Sequence, residues 1–324
     1  MTATPELLAV CARLRTERLA AVAVHEKPDL DALGAAVGLI DLIAQLGGHA
    51  ALHLNAAEHL PRASFAPPAG AVEPGVPPQG ATLYALDTGS LPRLALDLDG
   101  WHGDIVNIDH HHDNTRFGLI DLVMPNASSV SEIVCLLAGE LGHTPSPAAA
   151  QALYAGISFD TGHFRHASTS PVTFRCAAAL VEAGVKPAAL YAELYERRTL
   201  ADARLWALAV EHARPIAGGR ALVSVLTRAD VAACGAAEES AEGVVEYLRA
   251  LQGVRVAALV KEQDDGSGTR VSLRSSGWDV SALAAEHGGG GHRLAAGFSS
   301  DDPPEEVAEW LSSVLGERLS TASS

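Results

Sequence analysis

The sequence predicts an α/β fold: an N-terminal domain built on a parallel sheet with helices on both faces, and a smaller C-terminal α/β domain across a cleft. Three observations carry this. Short apolar runs at 19–25, 49–55, 82–86 and 105–108 have strand length, and a helix-period stretch separates the first two, the pattern of a βαβ unit. From Arg220 the alternation of strand-like and helix-like segments starts again. At 324 residues the chain has room for about two domains, each with its own core.

The elements follow in order. Leu19 to His25 is apolar throughout, as a strand covered on both faces should be, and Pro28 cannot continue it. After Asp29-Leu30-Asp31, apolar residues at Leu33, Val37, Ile40 and Ile43 predict a helix over 32–46, stopped by Gly47-Gly48. A strand at 49–55 completes the unit. Residues 61–80 hold six of the 17 prolines and three glycines, which predicts an irregular surface loop. The strand at 82–86 ends at Asp87-Thr88-Gly89, and the strand at 105–108 ends at Asp109-His110-His111-His112.

Helical periodicity returns at 127–141, behind Ser128, Ser129 and Ser131, and at 148–159, which runs into Asp160-Thr161-Gly162. Further helical patterns occupy 171–183, 187–195 and 200–212, the last polar enough to connect domains. The expected division is therefore 1–196, a helical linker at 197–215, and 216–324. In the last part, strands are expected at 221–226, 254–261 and 270–274, and helices at 238–251, 280–286 and 305–319. The serine-rich end, Ser320 to Ser324, is expected to fray.

Charge and cysteine usage narrow the function. The formal charge is 23 − 39 = −16, which repels long polyanions and counts against a protein that coats DNA or RNA. Cys11, Cys135, Cys176 and Cys234 lie far apart without a C-x-x-C pair, so neither a zinc ribbon nor a disulfide framework is expected. No apolar run reaches the ~18 to 20 residues that span a bilayer. The opening Met1-Thr2-Ala3-Thr4-Pro5-Glu6 has no basic segment leading an apolar one, so no export signal and no membrane partner are expected, and the cytoplasm is the expected compartment.

Four segments share one rule, in which an apolar element ends and an Asp or His follows. They carry His25 with Asp29 and Asp31, Asp87, Asp109 with His110 and His111, and Asp160. An isolated Asp at such a place is more often a turn former or helix cap. Parallel strands, however, deliver their C-terminal ends to one edge and would bring all four sets together. Carboxylates and imidazoles without thiolate suit Mn²⁺ or Mg²⁺, and the −4 of Asp29, Asp31, Asp87 and Asp160 balances two divalent ions. Such a pair polarises phosphoryl groups and activates water.

His25-x-x-x-Asp29-x-Asp31, Asp87, Asp109-His110-His111-x-x-Asn114 and Asp160 together resemble the DHH phosphoesterase superfamily. Arg274-Ser275 with Gly288-Gly289-Gly290-Gly291-His292-x-x-Ala295-Ala296-Gly297 resembles its DHHA1 domain, and chain size points to the nanoRNase/pAp phosphatase subfamily. The resemblance implies one metal held by His25, Asp29 and Asp87, and a second held by Asp31, Asp87, His110 and Asp160, with Asp87 bridging. It implies that Asp109 orients a neighbouring ligand and that His111 faces the substrate, protonating the leaving oxygen or stabilising charge on the phosphorane. The expected mechanism is in-line attack by a metal-bridging hydroxide.

Substrate contacts are expected from Arg274, Ser275, Gly289, Gly290, Gly291, His292, Arg293, Arg165 and Asn114. Glycines let backbone N–H groups approach an anion closely, while the alternative for this tetrad is a flexible linker. Arg255, Arg270, Arg274 and Arg293 form the basic patch that an acidic protein needs for a phosphate substrate, although Arg255 and Arg270 also suit a solvated strand face. His112, His163 and His166 are read as solvated. The implied substrates are very short RNAs, 3′-phosphoadenosine 5′-phosphate (pAp), pApA and pGpG; long nucleic acid is not an expected partner, and a homodimer is the oligomer considered. Two rivals are a manganese-dependent inorganic pyrophosphatase, which the Gly-rich tail opposes, and a non-catalytic nucleotide or RNA binder, which the intact ligand set opposes.

Overall fold

The computed structural model describes residues 4–55, 65, 67, 72–94, 96–263 and 266–321, and the side chains of Glu238 and His292 lie outside that description. The chain divides into two compact units, Met1–Glu196 and Arg197–Ser324.

In the first unit α1 (Pro5–Thr16), β1 (Leu19–Ala23), α2 (Leu30–Gln45) and β2 (His49–Leu54) are followed by β3 (Val72–Pro74), β4 (Thr82–Leu86), β5 (Ile105–Asp109) and β6 (Ile120–Val123). Then come α3 (Val130–Glu140), α4 (Pro147–Asp160), α5 (Pro171–Glu182) and α6 (Pro187–Tyr195). The six strands pair in parallel in the order β3-β2-β1-β4-β5-β6. Strand order reverses between β1 and β4, and there an open α/β sheet leaves a crevice at its carboxyl edge.

Alternate residues of β1 serve opposite faces. Ala20, Val22 and Val24 join a core with α1 to α5, built around Leu14, Leu33, Leu39, Ile43, Ile133 and Leu153. Ala21 and Ala23 join Leu83 and Ala85 in a smaller cluster closed by Leu94, Leu96 and Trp101. On that second face lies a 3₁₀ turn at Leu91–Arg93.

Three elements of this unit went unforeseen. Helix α1 has explicit signals, Thr4 as its N-cap with Oγ1 accepting from Leu7 N, and Pro5 in the first turn. Strand β3 falls in the expected loop, and its brevity and Pro74 suit an edge. Strand β6 is half-buried and shows little period of its own.

In the second unit, α7 (Leu200–Glu211), β7 (Arg214–Ile216), β8 (Ala221–Leu226), α8 (Arg228–Cys234), α9 (Val244–Ala250), β9 (Val256–Glu262) and β10 (Thr269–Ser275) precede α10 (Val280–Ala285), β11 (Gly290–His292), β12 (Ala295–Ser300) and α11 (Pro304–Thr321). The mixed sheet runs β11-β12-β10-β9-β8-β7, parallel only between β8 and β9. Helices α10 and α11 cover one face, and α7 and α9 the other. Leu205 and Ala209 of α7 are fully buried in that second cluster, so the helix packs as part of this unit.

The helix expected over 238–251 is broken by Gly243, whose φ of 83° is left-handed and where a Cβ would crowd Trp206 and Arg198. Helix α11 continues through Ser320 and Thr321, with Ser320 Oγ donating to Gly316 O, so those two residues do not fray; 322–324 lie outside the described residues.

Candidate active site

The carboxyl ends of β1, β4 and β5 set three of the four ligand groups. Asp87 directly follows β4 with a left-handed φ of 55°, held by its N–H donating to Ile108 O at 3.1 Å. Asp tolerates that conformation better than most side chains, yet it is uncommon, and such strain collects where function needs it. Asp87 is buried, and its Oδ1 has no hydrogen-bond partner.

His25, just after β1, presents Nδ1 to Glu26 O at 2.8 Å and Nε2 to Asp87 Oδ2 at 3.6 Å. His110, just after β5, presents Nδ1 to Ala127 O at 3.3 Å, while its Nε2 lies 3.6 Å from Asp87 Oδ1 and 3.3 Å from Asp160 Oδ2. A carbonyl partner fixes the proton of a neutral imidazole on Nδ1. The Nε2 lone pair then points at a carboxylate, an arrangement that asks for a cation between them.

Asp29 is the N-cap of α2, its Oδ1 accepting from Asp31 N at 2.9 Å and Ala32 N at 3.0 Å. Asp31, wholly buried in the first turn, accepts from Val130 N at 2.7 Å and Ser131 N at 2.9 Å, so the positive end of α3 supports its charge. Ser129 caps α3, as expected of a helix start lying behind the site. Asp160 is the last residue of a helix, α4, rather than of a strand. The shared sheet edge therefore explains the other groups and not this one, which depends on α4 packing against α2.

Glycine permits that packing. A Cβ on Gly156 would sit 2.1 Å from Ser131 Oγ and 2.8 Å from Asp31 Oδ1. Nothing in the sequence pattern marks this glycine as part of the site.

The assembled groups form His25–Asp29–Asp87, Asp31–His110–Asp160 and Asp87–His110–His111, with one ligand atom from each member lying within 4.8 Å of the others. Burial, and after it the charge of Asp87, raises the Asp29 carboxyl above its ordinary range. The same causes push Asp31 up to about 7, and burial with the charges of Asp31, Asp87 and Asp29 pushes Asp160 up to about 10. Burial alone would lower His25, but its bond to Asp87, the Glu26 carbonyl and the nearby carboxylates outweigh that and raise it to about 9. Carboxylates that resist ionising together, around a buried oxygen with no partner, fit divalent cations.

Asp109, at the end of β5, is fully buried and accepts from His111 Nδ1 at 2.7 Å, from Asn114 Nδ2 and from His110 N at 2.8 Å. The side chain it orients is thus His111. Burial opposes ionisation of Asp109, but these bonds, His111 first, hold its carboxyl below the ordinary range. The same pairing raises His111. Asn114, expected to touch substrate, instead spends its amide on Asp109, Asn107 Oδ1 and Thr88 O, and its Oδ1 on Arg116 N. Buried Asn107 and Thr88 complete that support, and the sequence reading missed both. His112 and Arg165 are exposed.

In the second unit Arg274 extends from β10, its Nε 2.7 Å from Glu246 Oε1 and its Nη1 donating to Leu273 O. Arg293 Nη2 donates to Gly277 O at 3.3 Å, and Ser275 Oγ donates to Trp278 O. The glycine tetrad is not a flexible linker, because Gly290 and Gly291 belong to β11 at the sheet edge. A Cβ on Gly289 would meet Gly297 O at 2.3 Å, and Gly291 takes a φ of 138°. No helix among the described residues is long and apolar enough to cross a membrane.

Residues 20–157 match the family model described as DHH family, N-terminal domain, and residues 218–320 match the DHHA1 domain. The chain is 33% identical over 284 residues to a Thermus thermophilus protein named bifunctional oligoribonuclease and PAP phosphatase NrnA, covering 85% of this chain and 82% of that one. It is 29% identical over 279 residues to the Bacillus subtilis protein of the same name, covering 85% and 87%. An exopolyphosphatase-related protein from Bacteroides fragilis superposes with a TM-score of 0.83 at 21% identity, covering 98% of each chain, which shows a common fold.

Proposed function

This chain belongs to the DHH–DHHA1 phosphoesterase family, and from that premise we propose that it hydrolyses short oligoribonucleotides to mononucleotides and pAp to AMP and phosphate. Its identity to the Thermus thermophilus oligoribonuclease and PAP phosphatase supports both activities. The observation that carries the reading is the buried, unpartnered Oδ1 of Asp87, set where carboxylates and imidazoles from β1, β4, β5, α2 and α4 converge. Linear dinucleotides such as pApA and pGpG share the chemistry and are further substrates.

The residues fit a pair of divalent ions, with His25, Asp29 and Asp87 for one and Asp31, Asp87, His110 and Asp160 for the other. Mn²⁺ suits this mixture of carboxylate and imidazole best, and Mg²⁺ is the second fit. Such ions, when bound, polarise the phosphoryl group and lower the pKa of the attacking water. The carbonyls of Glu26 and Ala127 keep protons on Nδ1 of the two histidines and present Nε2 toward the carboxylates.

His111 acts on the leaving oxygen. Asp109 accepts from its Nδ1, which puts the transferable proton on Nε2, and that bond raises the basicity of the ring. Asn114 and Asn107 hold Asp109 in turn. Arg274, Ser275, Gly289, Gly290, Gly291, His292, Arg293 and Arg165 are proposed as phosphate and nucleotide contacts, Arg274 by exchanging Glu246 for phosphate. The net charge of −16 supports small substrates over long nucleic acid. Free thiols at all four cysteines support the cytoplasm, and exposed Phe174 and Val181 on α5 support a homodimer.

The test offers purified protein with Mn²⁺ to pAp, pyrophosphate and end-labelled RNAs of graded length. Turnover of pAp and of the shortest RNAs is expected. Faster turnover of pyrophosphate would overturn the assignment.

A further inference from the structure

Behind Asp160 lies a second feature that the proposed chemistry does not use. A cavity of about 290 Å³ opens between α4 and α6, walled chiefly by Tyr154, Ser158, His163, Phe164, Tyr191 and Tyr195. We propose that this cavity binds a nucleobase-sized planar heterocycle at a site separate from the metal centre.

Its walls are aromatic in an arrangement suited to a flat ring. The His163 ring meets Tyr195 edge-on at 4.5 Å and Tyr191 edge-on at 5.0 Å, and Tyr154 lies 5.9 Å from Phe164. Side chains of this kind hold unstacked bases by ring contact. The size falls at the small end of ligand pockets, enough for a single heterocycle.

Two polar groups give the cavity a means of recognition. Tyr195 Oη is buried without a hydrogen-bond partner, a cost that a ligand nitrogen or carbonyl would relieve. His163, exposed at the cavity rim, has Nδ1 engaged with Ser158 Oγ at 3.0 Å, leaving Nε2 for the ligand, and partial desolvation, then Arg165 and His166, lowers its pKa. Among the described residues no Lys, Arg, Asp or Glu lines the cavity, so it suits an uncharged ring rather than a phosphate.

Backbone strain points to the same place. Gly162, His163 and Phe164 have consecutive left-handed φ values of 54°, 63° and 66°. Two non-glycine residues in that region are costly, and strain of this kind clusters at active sites, ligand clamps and switch segments. Here it is fixed by Ser158 O, Thr161 O and Thr161 Oγ1 accepting from the N–H groups of His163, Arg165 and Phe164.

Helix geometry separates the cavity from the metal centre. Ser158 and Asp160 are two positions apart on α4, about 200° around the helix, so the cavity wall and the Asp160 carboxylate lie on opposite sides. They share one short segment, because His166 Nδ1 also contacts Asp160 O at 3.2 Å. A ring bound against His163 therefore stiffens the segment that carries Asp160.

The ring could belong to a free nucleoside or to a base of bound RNA, and calorimetry on the full chain with adenosine and with a short oligoadenylate separates these. Adenosine, lacking phosphate, is expected to bind wild-type and Asp87→Asn protein alike. Tyr191→Ala is expected to weaken it about 5- to 150-fold, the worth of one stacked base. Tyr195→Phe, which removes one oxygen and leaves the packing, is expected to weaken it about two- to tenfold. If only the oligomer binds, and the same two variants weaken it, the ring is an RNA base and the proposal stands. Binding lost in Asp87→Asn but kept in both tyrosine variants, or no binding of either ligand that the tyrosine variants alter, overturns it.

Discussion

Asp109 Oδ1 lies 2.7 Å from His111 Nδ1, and Asn114 holds the other oxygen of the same carboxylate. In the proposed mechanism this pair divides the labour of the motif: Asp109 sets the tautomer of His111, and His111 is the group assigned to the substrate.

Replacing His111 by Ala is expected to lower kcat about 10²- to 10⁴-fold, the usual worth of a general acid. The bound metal content should stay unchanged. A loss confined to KM, seen in steady-state kinetics with pAp, would mean that His111 only binds substrate.

The pH profile carries the sign of the pairing. His111 is raised by Asp109, so its acid form persists above the ordinary value and the rate falls as pH rises through the raised one. In Asp109→Asn that support is gone, and the descending limb should move to lower pH, toward about 6.5. A limb that does not move, measured in kcat against pH, would remove His111 as the proton donor.

Crowding predicts the effect of one methyl group. Gly156→Ala places a Cβ 2.1 Å from Ser131 Oγ and 2.8 Å from Asp31 Oδ1. Overpacking of this kind costs about 1–3 kcal/mol. We expect a lower Tm together with weaker Mn²⁺ binding, because the atoms displaced include a proposed ligand. A lower Tm with unchanged metal affinity would place the strain away from Asp31.

Glu132 anchors the region behind the site without touching it. Its buried Oε2 accepts from Ser128 Oγ and Thr173 Oγ1, each at 2.6 Å. Glu132→Ala strands the Ser128 hydroxyl, at about 1–3 kcal/mol for a buried group left unpaired, while Thr173 Oγ1 loses one partner and keeps Ser170. Chemical denaturation should show that loss, while unchanged stability would mean the Ser128 hydroxyl finds another partner.

How much of this was legible in the sequence differs residue by residue. His25, Asp87 and Asp109 announce themselves because each follows or ends an apolar run, and burial on both faces makes such runs continuous and so readable. Asp160 follows an apolar run too, but a helical one, so its place in the site depends on how closely α4 approaches α2, which Gly156 allows and no periodicity reports. Asn114 was expected at the substrate, and its amide is instead engaged by Asp109, Asn107 and Thr88. Its partners Asn107 and Thr88 become visible only when β4 and β5 are paired. Helix α1 was overlooked despite its Thr4-Pro5 start, and β11 was hidden because a run of glycines resembles a linker until β12 is placed beside it.

Metal stoichiometry and hydrolysis measured together on wild-type and Asp87→Asn protein test the central claim most directly. The account predicts two Mn²⁺ per wild-type chain with turnover of pAp and a short RNA, and in the folded variant both fewer bound ions and loss of both activities. Full hydrolysis by the Asp87 variant would contradict it.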